Sequence, residues 1–279
     1  MAKVQLDIEK GIRSDSETIL IYGASGTGKS TIACRIGFDA KVGLIKTPET
    51  VRTLVLDFEN STHLLPIDRI NLYEAPFIEC SETLEAVIND EEIAAKYDRI
   101  VIDSLDWYIS KIERYLCEKH NKKSITDFQW GSGQQQVADI IRKQITLFDK
   151  AKNKGFGITF VAHSKKNPVD DPESGYTTDV YDIAVHQKPA NIIKEYVDIV
   201  MFAHIQSGGV VQEDKGFGQT RNRQVGKEKR LLYFQPTDRH VAKSRYPLPR
   251  SCELNYLTYR DELSKAKALV GVMSNPDDV

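Results

Sequence analysis

"TILIYGASGTGKST", residues 18–31, decides how this chain is read. Residues 18–22 are apolar and β-rich, the length and composition of a buried strand. Gly23, Gly26 and Gly28 then permit a tight turn whose backbone N–H groups converge on an anion. Lys29 adds a point charge, Ser30 a hydroxyl able to ligate Mg²⁺, and a helix is expected over residues 29–40, its positive N-terminus aimed at the same place. Gly23, Ala24, Ser25, Gly26, Thr27, Gly28, Lys29, Ser30 and Thr31 are therefore the candidate nucleotide-binding residues.

A nucleotide loop of this G-x-x-x-x-G-K-S kind, the Walker A pattern, needs a carboxylate to share its cation. "RIVIDSLD" (99–106) is a buried strand ending in Asp103, the Walker B arrangement, with Asp106 as the nearby rival. Hydrolysis also needs a group that orients or activates water. "LVLDFENS" (54–61) offers Glu59 just past a strand end, with Asp57 on the same face but nearer the strand body. "GITFVAH" (157–163) ends in His163, placed either to sense the γ-phosphate or simply to fill a structural position.

Outward from these motifs, short apolar runs alternate with helical stretches. Helices are expected at 81–97, with Ser81 as N-cap, and at 133–153. That alternation predicts an α/β fold with a mostly parallel sheet. After residue 195 the strand-like runs 196–205, 229–237 and 239–246 have no helix between them, which predicts antiparallel additions at the sheet edge, followed by a helix over 250–270. One domain, 1–270, and a frayed tail, 271–279, account for the length. The net charge of −2 gives no overall basic field, so nucleic-acid contact requires local patches. Four dispersed cysteines without a CxxC pair fit a reducing cytoplasm, and no apolar run is long enough to span a bilayer.

In this order the residues resemble the RecA-like branch of P-loop ATPases. "DFEN" is similar to the family's D-x-E, "VIDS" to its Walker B, and His163 to its switch residue. "FQWGSG" (128–133), "VDIV" (197–200) and the late K-x-R of Lys243 and Arg245 resemble elements of phage-encoded ATPases of the Sak type, which act in single-strand annealing and recombination. The resemblance spans roughly residues 15–250. It implies ATP and Mg²⁺ as ligands, Lys29, Glu59 and His163 as catalytic residues, and a ring or filament of identical subunits. It also implies that Lys243 and Arg245 reach the nucleotide of the neighbouring subunit. Without it, the pair reads equally as charges guarding an edge strand.

The resemblance further implies single-stranded DNA as a partner, together with a single-stranded-DNA-binding protein. Two polar segments are available for contact. Residues 164–189 carry Lys165 and Lys166, and residues 206–230 carry six basic residues against three acidic ones, including Lys215, Arg221, Arg223 and Lys227, with Phe217 between glycines for base stacking. Residues 118–133 form a third candidate, in which Trp130 either stacks or belongs to the core. A replicative-type helicase or helicase loader, and an ATP-switched scaffold that ignores DNA, are the competing functions.

Overall fold

The structure is a computed structural model, describing residues 17–39, 41–47, 52–170, 175–214, 220–225 and 228–274. Its first half comprises β1 (Thr18–Gly23), α1 (Lys29–Ala33), β2 (Ile36–Asp39), β3 (Gly43–Lys46), β4 (Thr53–Asp57), β5 (Asp68–Asn71), α2 (Phe77–Asn89), α3 (Glu91–Lys96), β6 (Arg99–Asp103), α4 (Leu105–Lys119) and α5 (Ser132–Asn153). There follow β7 (Gly157–Asp170), β8 (Thr177–Ile183), α6 (Gln187–Tyr196), β9 (Ile199–Gln206), β10 (Gly209–Asp214), β11 (Thr220–Val225), β12 (Lys229–Tyr233), β13 (Lys243–Ser244), β14 (Ser251–Glu253) and α7 (Tyr256–Ser274).

The main sheet runs β14-β12-β9-β1-β7-β6-β4-β5, and β5 through β9 in that order are parallel. The strand bearing the glycine loop is thus separated from the strand bearing Asp103 by β7. Both faces are covered, which is why the parallel strands are continuously apolar. Leu20, Tyr22, Ile100, Ile102 and Phe160 pack under α2, α4, α5 and α6. Ile19, Ile21, Val101 and Val161 pack with α1 and α7. Helix α5 buries Val137, Ala138, Ile141, Phe148 and Ala151, the spacing of one helical face.

The expected α/β fold with a mostly parallel sheet is present, with four changes. The helix expected over 29–40 ends at Ala33. Arg35 takes a left-handed φ of 59° and pairs with Asp98 at 2.7 Å, and β2 and β3 follow as a hairpin. The helix expected over 81–97 starts at Phe77 and breaks at Asp90, whose carboxylate caps α3 by accepting from Glu92 N and Ile93 N. Strand β9 is parallel and central, not an antiparallel edge, because α6 provides a crossover that the sequence reading took for loop. Its buried positions are Pro189, Ala190 and Ile193, a short stripe set among polar residues. Strands β12, β13 and β14 are antiparallel as expected. Finally, α7 continues to Ser274, so the segment read as a frayed tail is helical up to there, and residues 275–279 lie outside the described residues. Among the described residues no helix is long and apolar enough to cross a membrane.

One buried ion pair ties the amino end of the sheet together. Arg99, 3% exposed, donates to Glu17 Oε1 at 2.7 Å and to Thr159 Oγ1 at 2.8 Å, and Lys267 of α7 reaches Glu17 Oε2 at 2.8 Å. Burial alone would raise the Glu17 carboxyl, but Arg99 and then Lys267 outweigh it and hold it at about 2. A depressed carboxylate stabilises the fold above its unfolded value of 4.5, and that contribution is lost as pH falls towards about 2. Glu17→Gln is expected to cost roughly 3–5 kcal/mol at neutral pH, because it strands the buried guanidinium. Urea unfolding of both proteins at neutral pH and at about pH 3 tests this: the difference should shrink markedly in acid.

Candidate functional site

Four parallel strands, β1, β4, β6 and β7, reach the same edge, and the candidate residues lie there. In register, Gly23 of β1 lies beside His163 of β7 and Ala203 of β9, and Asp103 of β6 lies beside Val161 and Asp57. The loop from Gly23 to Lys29 leaves β1 at this edge. A Cβ on Gly23 would sit 2.2 Å from the Ala203 carbonyl oxygen, so only glycine lets the two strands approach this closely. Gly26 and Gly28 take φ values of 76° and 102°, the left-handed region the turn requires.

Lys29 is buried, and its ammonium donates to the Ala24 carbonyl at 2.9 Å, as does the Thr27 hydroxyl. Burial lowers the Lys29 pKa, while Asp103, then Glu59 and Asp106, work in the opposite direction. Because α1 is little more than one turn, the positive field at the loop comes from its amides and Lys29 rather than from a long helix.

Asp103 is 1% exposed. Burial pushes its carboxyl up to about 6 against the hydrogen bond from Ser30, with Glu59 and Asp57 adding like charge and Lys29 opposing. Its Oδ2 has no hydrogen-bond partner. An orphaned, buried carboxylate oxygen beside a serine hydroxyl fits a divalent cation. Among the described residues no cluster of three or more His, Cys, Asp or Glu forms a metal cage. Mg²⁺ suits that arrangement, since it takes its remaining ligands from phosphate and water.

Asp57 and Asp106, the two rival carboxylates, have other duties. Asp57 is fully buried and accepts from Arg69 at 2.8 Å, from the Thr62 hydroxyl and from the backbone N–H groups of Glu59, Ser61 and Thr62. Burial would raise it, but the Thr62 and Arg69 hydrogen bonds prevail and hold it below the usual carboxylate range. It is the latch of the turn that presents Glu59. Asp106, in the first turn of α4, accepts from His163 N at 3.0 Å and from His163 Nδ1 at 2.9 Å. That leaves Nε2 facing the site, 3.8 Å from Glu59 Oε1. The Asp106 hydrogen bond, partly opposed by burial, raises the His163 pKa. When protonated, the ring presents an Nε2–H to the site.

Lys243 and Arg245 stand elsewhere. Lys243 donates to the carbonyls of Lys194 and Glu195 at 2.7 and 3.2 Å. Arg245 pairs with Asp198 at 2.7 Å and donates to Glu195 O at 3.1 Å. Both thus cap the C-terminal end of α6, where cations are favoured. Lys243 pairs with Val200, three residues before the level of Gly23, so within one chain the pair lies short of the loop.

The polar segments are not long loops where they are described. Strand β7 runs past His163 to Asp170 and pairs with β8 as a ribbon. Lys165 on this ribbon donates to Val185 O at 2.7 Å, and Lys166 lies 5.3 Å over the Tyr181 ring. Strands β10 and β11 make a second ribbon, in which Arg221 is opposite Glu213 and Arg223 opposite Val211. Lys215, Phe217 and Lys227 lie outside the described residues. Trp130 is 98% exposed and so is no part of the core.

Asp106→Asn is expected to bring the His163 pKa back down towards 6.5, because the partner that favours the charged ring is gone. Imidazole NMR titration of wild type and variant checks the shift.

A family model described as "AAA domain" matches residues 15–246. No curated protein matches the chain. Among solved structures, the flagellar accessory protein FlaH of Methanocaldococcus jannaschii is 13% identical, with 78% of this chain and 77% of that chain covered, at a TM-score of 0.39. A KaiC-like protein of Pyrococcus horikoshii is 12% identical, with 78% and 85% covered, at a TM-score of 0.36.

Proposed function

Because the chain belongs to the AAA-domain family and has a RecA-like P-loop core, we propose that it hydrolyses ATP and couples turnover to work on single-stranded DNA, in recombination or annealing. The observation that carries the ATPase reading is the meeting of Lys29, Asp103, Glu59 and His163 at one sheet edge. The Lys29 ammonium exchanges the Ala24 carbonyl for phosphate oxygens when the triphosphate enters, and the loop amides complete the cradle. Ser30 and Asp103 would hold Mg²⁺, which neutralises charge on the β- and γ-phosphate oxygens when bound. Glu59, held out by the Asp57 latch, orients the attacking water and takes its proton. His163 meets the γ-phosphate through Nε2 while Asp106 fixes the ring.

The DNA reading is supported by the path of β7. The strand that ends the catalytic edge at His163 is the same strand that carries Lys165 and Lys166 into a ribbon beyond it. The second ribbon adds Arg221 and Arg223. Cations on such ribbons suit a phosphate backbone, and the exposed Tyr176, just before β8, brings an aromatic ring to the first ribbon for base contact. A ring or filament of identical subunits completes the reading, with Lys243 and Arg245 serving the neighbour's nucleotide by trading their helix-capping contacts for phosphate.

Two measurements test these statements. ATP turnover should rise with protein concentration and with added single-stranded DNA, be abolished in Lys29→Ala, and fall roughly 10²–10⁴-fold in Glu59→Gln with nucleotide still bound. Absence of DNA stimulation together with absence of salt-sensitive DNA binding would leave the scaffold reading, and strand displacement from a tailed duplex would favour the helicase. Separately, Arg245→Ala should bind ATP but lose turnover, and mixing it with Glu59→Gln subunits should restore part of it. A lowered melting temperature with turnover intact would confine the pair to capping α6.

A further inference from the structure

Directly beside the phosphate loop opens a cleft of about 710 Å³ that the chemistry above does not use. Gly28 and Thr31 line its inner end, so it is continuous with the loop. Its size is that of a nucleotide-scale ligand site. The floor is apolar, formed by Ile32 and Ile36 from the segment after the loop and by Leu254 after β14.

The outer wall is the β2–β3 hairpin. Phe38 and Leu44 face each other in its register, and each is about half exposed, 51% and 53%. Two large apolar side chains paired at the mouth of a cleft are costly in water unless something covers them. The hairpin is held in place independently of any ligand. Asn255 accepts from Phe38 N at 3.2 Å and donates to Phe38 O at 2.7 Å, and a Cβ on Gly37 would sit 2.9 Å from Leu257 Cγ. The wall is therefore preformed, and the Asn255 amide is spent on holding it. Arg230 also lines the cleft, two residues before the buried Leu232 and on the same face of β12. Its guanidinium makes no hydrogen bond or ion pair with any described residue, whereas Arg35, Arg69, Arg99 and Arg245 are all paired.

We propose that this cleft seats the nucleoside of the triphosphate, with Phe38 and Leu44 covering the base and sugar from one side and Arg230 gripping from the other. The proposal rests on the phosphate-loop reading. A ligand whose phosphates lie on the loop has its remaining atoms next to Gly28 and Thr31, where the cleft begins. A base is flat and largely apolar on its faces, which matches the hairpin side chains. A planar guanidinium stacks on such a ring. The hairpin that replaces the expected long helix after the loop thus acquires a purpose: it is the wall of the nucleoside site.

The test compares binding of ATP and of inorganic tripolyphosphate, both with Mg²⁺, by titration calorimetry. Phe38→Ser and Arg230→Ala alter exposed side chains and should leave the melting temperature in place. Both variants should bind tripolyphosphate as the wild type does and lose at least about tenfold in affinity for ATP. Unchanged ATP affinity, or an equal loss for both ligands, overturns the nucleoside site while leaving the loop assignment standing. A Phe38→Ser variant that changes only its oligomeric state by light scattering assigns the hairpin face to a second copy of the chain and likewise overturns it. Failure of the wild type to bind either ligand removes the phosphate-loop reading itself, and the nucleoside site with it.

Discussion

The insertion of β7 between β1 and β6 is the constraint from which the site follows. Parallel pairing fixes Gly23 against His163 on one side and Asp103 against Val161 on the other. A one-residue slip in either ladder would turn every side chain to the opposite face and exchange the two apolar clusters above and below the sheet. The register is therefore enforced by the whole core: Leu20, Ile102 and Phe160 belong under one layer of helices, and Ile21, Val101 and Val161 under the other. The chemistry at the edge inherits that accuracy, and the hydrogen bonds of Asp57 and Asp106 fix the side chains within it.

Charge is distributed unequally at this edge. Asp103, Glu59 and Asp106 gather around one buried ammonium, Lys29, with Asp57 beside Asp103. Two of the carboxylates are fully served, Asp57 by Arg69 and the 59–62 backbone, Asp106 by His163. Asp103 is left with Ser30 and an unpartnered oxygen, and its raised pKa records the cost of burial. An unpartnered carboxylate oxygen beside the Ser30 hydroxyl is the feature on which the proposed Mg²⁺ site rests. The satisfied carboxylates shape the site, and the unsatisfied one is held ready for its ligand.

Much of this was legible in the sequence, for identifiable reasons. The glycine loop and the four strands beginning at Thr18, Thr53, Arg99 and Gly157 stand out because their apolar runs are continuous and their polar ends abrupt. Asp103 was read from its place at a strand end. What escaped depended on contacts between distant positions. Nothing local marks Asp106 as the partner of His163, 57 residues away, or Asp57 as a latch rather than a base. Helix α6 was missed because its buried stripe is only three residues deep, and that miss turned a central parallel strand into a supposed edge. The helix after the loop was overextended because "CRIGFDA" has no proline to stop it. The break comes from Arg35 turning into the left-handed region to meet Asp98, across the sequence from it.

Strand β7 is both a wall of the catalytic edge and one leg of a protruding ribbon, and its 14 residues contain no joint. Where it leaves the sheet, His163 O accepts from Ala184 N, so the returning strand is fastened at the same level. Strand β7 is paired on both sides, by β1 and β6, as far as Val161, and from Ser164 onward by β8 alone, so load on the ribbon meets the sheet at the β1–β7 hydrogen bonds. His163 sits at that junction, level with Gly23, so the ribbon and the phosphate loop adjoin at a single residue.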